Sequence, residues 1–458
     1  MKLSIAEGVH LVEPGDFEPK EHWYPRVLNS NIHPLVNYFL NLNNEQIASR
    51  YCRLNPFANK SKVLELLQYK PQFFQWSGTD IMHVTNKEGR RKLTIIETNS
   101  CPSGQKSMPI LDFNMEKGGY NKLITLTFKP LVDLHKESGV LAVLYDKNPM
   151  ENIGYASTVA EVFNEDVYLV QYKNGDTEAS AKFENNKLFI LGEGSSWIPV
   201  RAAFRYVTQE PWNRIPLKSK TLLLNPIEAC LAGGRNKAEA SKAYEKFNLE
   251  NKSSGLILDI PKTYTGVTYQ ELPQFFEKMK NSMVIKVPDS NAGQGVYVVT
   301  SEKEFIDACE ELKPFNQSTF IVQQLIFSNY IEGSDEVHSF YHVGTLPDNK
   351  NRSYAFDIRM MMHYTSDGLR PLAVYSRKAR LPLNQPLPEW AVSWDVYGTN
   401  LSVKEEDGWS YEDDRLLLYD IRNFGRLGLG VDELIQAFVQ SCMATIAVDQ
   451  HAKTMFNN

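Results

Sequence analysis

The chain predicts an α/β protein assembled from α+β lobes, and three stretches carry that prediction. "GVLAVLYD" (139–146) is a short continuous apolar run of the kind buried on both faces of a parallel sheet. The helix-like "GYASTVAEVFN" and a second apolar run, "DVYLVQY", follow it, giving a strand–helix–strand crossover, right-handed by rule. "SMVIKVPDSNAGQGVYVVTSEKEFIDACEELKPF" (282–315) reads as strand, Gly-rich turn, strand and helix, with Ser301 and Glu304 as a capping box. "YAFDIRMMMHY" (354–364) and "LRPLAVYSRKARL" (369–381) form a long strand pair joined by the turn "TSDG".

The other elements fall into place around these. The first ~90 residues read as mostly helical, with "NKSKVLELLQ" (59–68) at helical spacing. "KLTIIET" (92–98) is an apolar strand that runs into Asn99 and the turn-rich "SCPSG". "LAGGRNKAEASKAYEKFN" (231–248) is a turn entering a helix, "TFIVQQLI" (319–326) a buried strand, and "VDELIQAFVQSCMATIAVDQHA" (431–452) an amphipathic core helix. These elements divide into an N-terminal helical region with its strand (1–136), a three-layer α/β unit (137–226), a Gly-rich-loop lobe (227–345) and a C-terminal core (346–458).

Composition narrows the function classes. With 42% hydrophobic and 23% charged residues over 458 positions, the chain is ordinary for a globular protein. Its net charge of −6, without blocks of like charge, argues against a nucleic-acid partner. No secretory signal develops before Glu7, and no apolar run reaches the ~20 residues that span a bilayer. Cys52, Cys101, Cys230, Cys309 and Cys442 are scattered singly, as reduced thiols would be. The expectation is a cytoplasmic protein; a secreted protein lacking a standard signal would read the same.

The chemistry-bearing residues admit two readings each. Glu97 and Asn99 lie on one face of a strand, their Cα atoms roughly 6.5 Å apart. They can converge on a hard cation, or simply belong to a strand-end turn. Lys286, just before the Gly-rich loop, can set an ammonium against phosphate oxygens, or be an edge-strand charge on a plain hairpin. Asp357 and Arg359 share a strand face, for phosphate or carboxylate recognition or as a cross-strand ion pair. Arg377, Lys378, Arg380 and Asn400 follow. No P-loop and no dinucleotide fingerprint is present. The histidines offer no catalytic pattern and read as satisfied or surface residues.

Together these segments resemble the ATP-grasp superfamily, and their order resembles its circularly permuted branch, eukaryotic-type glutathione synthetase. "WSGTDIMHV" with "KLTIIETNSCPSG" is similar to that family's metal-ligand strand and the segment before it. "IPVRAAFRYVTQEPWNRIP" is similar to the segment closing its inserted domain, and "CLAGGRNKAEAS" to the entry of its first ATP-binding lysine. "VIKVPDSNAGQGVYVV" and "FIVQQLI" are similar to its Gly-rich loop and adenine hinge. The resemblance implies a permuted ATP-grasp fold with an inserted three-layer α/β domain, using ATP and Mg2+. Glu97, Asn99 and Asp289 become the metal ligands. Lys237 (or Arg235), Lys286, Gly293, Gln294 and Gly295 would bind phosphates, and Gln323, Gln324, Leu325 and Ile326 would bracket adenine. Arg205 would contact the acceptor substrate, with Arg359, Arg377 and Arg380 as further catalytic cations.

Departures are visible too. Ser290 stands where the family places a third metal-ligating Glu, and Gly78 where it places an arginine for a glycine-side carboxylate. The implied activity is ATP-dependent amide formation between small-molecule carboxylate and amine through an acyl phosphate, with no nucleic-acid or membrane partner and a homodimer as the candidate assembly. The alternatives are a phosphotransferase on the same fold and an ATP-binding or interaction protein without turnover.

Overall fold

The computed structural model describes residues 3–109, 118–172, 180–207, 214–290, 295–328, 339–405 and 408–457. It is a mixed α/β fold. Its largest sheet is centred on the parallel strands Val140–Tyr145, Val167–Gln171 and Trp197–Tyr206, linked by the crossover helix Pro149–Phe163. The predicted strand–helix–strand unit is thus present. The chain begins not with a helix but with a hairpin, Leu3–Ala6 and Val9–Val12, which adds to this sheet beside Val167–Gln171.

A second, antiparallel sheet holds the long strands. Trp76–Asn86 lies between Arg91–Asn99 on one side and Phe356–Thr365 on the other, and Gly368–Lys378 follows. One face packs on the closing helix, Val431–Phe456, through buried Ile81, Ile95, Ile358, Met360 and Val374. That helix is long and apolar enough by composition to cross a membrane, yet 78% of its apolar window is buried inside the fold. Its Asp449, fully buried, accepts from the backbone N–H groups of Gln72, Phe73 and Phe74 and from the Tyr69 hydroxyl, tying the entry to the sheet onto the helix.

The third sheet is small and antiparallel, in the order Thr263–Thr268, Thr319–Gln323, Met283–Lys286, Val296–Val299. It has its own apolar cluster, including Leu272, Met283, Ile285, Phe320 and Val322, separate from the main core. The helix Glu302–Leu312 follows it, and Ser301 Oγ accepts from Glu304 N–H as the capping pattern predicts. The Glu304 carboxylate, however, does not close a box on Ser301 N–H. It accepts from the N–H groups of Thr300 and Ser393, tethering this lobe to the segment 393–400 of the main sheet's lobe.

Candidate functional site

The cleft lies where the small sheet faces the long-stranded one. It encloses about 1410 Å³ including its open mouth, and its walls come from both sheets and from the 393–400 segment. Glu97, Asn99 and Asp80 line the floor, Lys237 and Lys286 the opposite wall, and Gln323 to Ile326 the rear.

Strand register explains why Glu97 faces the cleft. Strict alternation would put Glu97 on the same face as Ile95, which is buried against the closing helix. A β-bulge intervenes: Asp80 pairs with Glu97 but Ile81 pairs with Ile95, so Ile96 is the extra residue. The bulge offsets the alternation by one position. Ile95 stays in the core while Glu97, opposite Asp80, turns to the cleft. Asn99 pairs with Gly78 on the same face, and its Nδ2 lies 3.4 Å from both Gly78 O and Glu97 Oε1. Asn99 Oδ1 accepts no hydrogen bond among the described residues. The pair therefore presents a carboxylate and a free amide oxygen.

Such a donor set fits magnesium, which is bound through one or two protein oxygens together with substrate phosphates. Among the described residues no group of three His, Cys, Asp or Glu side chains could hold a metal alone. Asp289, expected as a third ligand, is exposed and does not line the cleft. The turn after Lys286 directs it outward, and the backbone carbonyl of neighbouring Ser290 instead accepts from Lys237 Nζ at 2.6 Å.

Lys237 opens the helix Lys237–Asn251, whose N-cap Asn236 accepts from the N–H groups of Ala238 and Glu239. Its ammonium reaches Glu97 at 3.8 Å. Lys286, buried at the end of its strand, has its pKa pushed down to about 8. Burial is the main cause; Glu97 opposes it and Lys237 adds to it. Burial likewise lowers Lys237, against the pull of Glu97. Two desolvated ammonium groups on one carboxylate leave excess positive charge, which suits a polyphosphate.

Gly295, with φ +67, closes the turn: Val287 N–H donates to its carbonyl at 2.8 Å. Gly293 and Gln294 lie outside the described residues. At the rear, Gln324 N–H is used in the sheet, donating to Lys262 O. Leu325 and Ile326 line the cleft, and their N–H groups make no backbone bond among the described residues. The side chain of Gln323 donates to Thr263 and that of Gln324 to Ser339, so both are occupied holding the hinge.

The four arginines expected to act on substrate do not stand free in the cleft. Arg359 forms a bidentate pair with Asp80, both contacts 2.6 Å, and does not line it. Arg377 lines the cleft but is bound to Asp357 and, at 2.9 Å, to Asp80. Burial would raise the Asp80 carboxyl, but the two guanidiniums outweigh it and hold it well below the usual range. Cross-strand register makes these pairs: Asp80 is opposite Arg359, and Asp357 opposite Arg377. Arg380 is paired with Asp395 at 3.0 Å and Glu412 at 3.1 Å, outside the cleft. Arg205 is wholly buried behind it, donating to the carbonyls of Asn225 and Val207.

Sequence reasoning missed Asp80 and His342. His342 is buried in the cleft wall, its ring stacked near Tyr397 and its Nδ1 without a partner among the described residues. Burial pushes its pKa down to about 3, so it is neutral. The only signal was position, and that depends on which strand Phe340–His342 joins. Gly78 leaves no room for a side chain: a Cβ there would lie 2.4 Å from Pro102 Cβ.

No protein-family model and no curated protein matches the chain. Solved structures do. D-alanyl-alanine synthetase A from Vibrio cholerae matches at 14% identity over 52% of this chain and 89% of that one, with a TM-score of 0.33. A RimK domain ATP-grasp protein from Sphaerobacter thermophilus matches at 12% identity over 51% and 90%, TM-score 0.31. A glutathione synthetase-like effector from Globodera pallida matches at 10% identity over 75% and 81%, TM-score 0.36. Likenesses of this depth fix no residue-level correspondence. ATP-grasp proteins are thus among the solved structures to which this chain is similar.

Proposed function

We propose that the chain is an ATP-dependent carboxylate–amine ligase of the ATP-grasp kind, forming an amide through an acyl phosphate. The observation that carries this reading is the convergence, in one cleft, of Lys237 and Lys286 with Glu97 and Asn99, backed by the segment Gln323 to Ile326 along its rear. The ligand strand precedes the phosphate-gripping hairpin in the chain, so the permuted order is part of the proposal.

The chemistry follows from these residues. The hinge 324–326 receives the base, and the two ammonium groups hold the phosphate oxygens. Glu97 and Asn99 would hold magnesium, which when bound supplies charge neutralisation at the terminal phosphates. A substrate carboxylate attacks the γ-phosphoryl group, ADP leaves, and the acyl phosphate forms. An amine then attacks the carbonyl and phosphate departs. No protein nucleophile takes part; positioning and electrostatics carry the rate. Because Gly78 is packed on Pro102, no side chain there can grip a glycine-side carboxylate, and an acceptor amine other than glycine is the better expectation.

The test is ADP release, with Mg2+, across pairs of amino acids, short γ-glutamyl peptides and polyamines. A pair that doubles the basal rate and yields an amide product supports the ligase. A second reading, nucleotide binding without turnover, is favoured by the exposure of Asp289 and by Ser290 at the third-ligand position. Stabilisation by ATP and Mg2+ with no ADP from any pair would select it.

A further inference from the structure

Arg205 presents a charge problem away from the cleft. Its guanidinium is fully buried. Nε donates to Asn225 O at 2.5 Å and Nη1 to Val207 O at 2.8 Å, both neutral acceptors. Nη2 is buried with no hydrogen-bond acceptor among the described residues. An arginine cannot shed its proton, and an uncompensated buried charge is strongly unfavourable. The ionisable groups around it are Cys230, Cys101 and, more remotely, Asp146, which is only half-buried.

The two thiols are not equivalent. Cys101 Sγ lies 3.3 Å from Arg205 O, an acceptor that together with burial favours its protonated form. Cys230 Sγ lies 2.9 Å from Ser100 Oγ and adjoins both the guanidinium and Cys101. The Ser100 hydroxyl, the Cys101 thiol and the Arg205 guanidinium thus all adjoin the Cys230 sulfur. The cysteines, scattered in the sequence, are brought together by folding.

We propose that Cys230 is a resident thiolate, the counter-ion of Arg205, and that with Cys101 it forms a redox-active dithiol that hydrogen peroxide converts to a disulfide. The hydrogen bond from Cys101, and against burial the field of Arg205 and the Ser100 hydroxyl, bring the Cys230 thiol down to about 5. Lys147 and its neighbour Arg235 keep the surroundings of Cys101 positive. In the first step the Cys230 thiolate attacks one peroxide oxygen and the O–O bond breaks. The departing hydroxide takes a proton from solvent, leaving a sulfenic acid. The Cys101 sulfur then attacks the Cys230 sulfur; the S–O bond breaks, and hydroxide leaves with the Cys101 proton as water. Two electrons pass from the two sulfurs to the peroxide. Cys101 lies two residues beyond Asn99 and Cys230 five before Arg235, so the bond would staple the Glu97 strand to the turn that delivers Lys237.

The experiment uses the full chain without nucleotide, so its failure leaves the ligase reading standing. Thiolate absorbance at 240 nm is followed as pH falls from 7. The expected result is one thiolate per chain, lost around pH 5 in the wild type and in Cys101→Ser, and absent in Cys230→Ser. Should Cys230→Ser not fold, Cys101→Ser decides alone: retention of the signal supports the proposal and its loss overturns it. No thiolate in the wild type at pH 7 also overturns it. Peroxide treatment followed by non-reducing peptide mapping is expected to link residues 101 and 230 with loss of two hydrogens, reversed by dithiothreitol. Oxidation that leaves the two unlinked overturns the dithiol.

Discussion

Lys286 sits where two demands conflict: burial disfavours its charge, and phosphate requires it. With its pKa near 8, the free protein holds a partly neutral amine above that pH. A polyphosphate raises the pKa again, so nucleotide binding is expected to take up a proton above pH 8 and none well below it. Calorimetry in buffers of different ionisation enthalpy measures that uptake; observed heats at pH 8.5 that do not vary with the buffer would refute it. Lys286→Ala is expected to lower ADP release by about 10²-fold, the scale of losing one preorganised electrostatic contact, with an unchanged melting temperature. Glu97→Ala is expected to raise the Mg2+ concentration for half-maximal activity, whereas Glu45→Ala, at an exposed ion pair far from the cleft, is not. Gly78→Ala tests packing: with Pro102 Cβ only 2.4 Å from the added methyl, a loss of about 1–3 kcal/mol is expected in denaturant unfolding.

Individual strands decide which charged residues face the cleft and which are locked away. The Asp80, Arg359, Asp357 and Arg377 cluster is buried and balanced, two carboxylates to two guanidiniums. Removing one partner leaves a bare charge, so Asp80→Ala is expected to cost about 3–5 kcal/mol in chemical denaturation. Lys286, Lys237 and Glu97 were legible because each adjoins a turn signature that local sequence displays. Arg359 and Arg377 were legible as cations, but not as paired ones, because their partners are set by strands 279 and 20 residues apart in the chain. The burial of Arg205 was not legible for a related reason: it is a property of the parallel sheet around Trp197–Tyr206. His342 escaped notice because its strand is only three residues long.

At the scale of the molecule, two apolar cores meet through polar bridges. The small lobe's cluster is separate from the main one, and the cleft runs between them. Glu304 is one such bridge, its carboxylate holding Ser393 N–H at 2.7 Å and Thr300 N–H at 2.9 Å. Glu304→Ala removes these charge-assisted bonds, each worth about 1.5–3 kcal/mol. Amide exchange at 393–400 is expected to quicken by about tenfold or more by mass spectrometry, while the helix Val431–Phe456 stays protected. Unchanged exchange would mean that the lobes are joined by other contacts. The strand–helix–strand unit was legible because crossover topology is a local pattern, whereas the hairpin that extends its sheet comes from the far end of the chain.

The extra residue at Ile96 has a consequence for how this protein can vary. What aims the carboxylate is a count of positions and not the identity of the side chain there. Exchanging Ile96 for another medium-sized apolar residue should therefore be tolerated, and deleting it would pair Ile81–Ile95 and Asp80–Glu97 one to one and keep the acid on the cleft face; only losing the bulge with the residue retained would turn the acid inward against the closing helix. A lineage could rewrite most letters of this strand, or drop this codon, and keep its chemistry, yet lose it by straightening the strand at its present length.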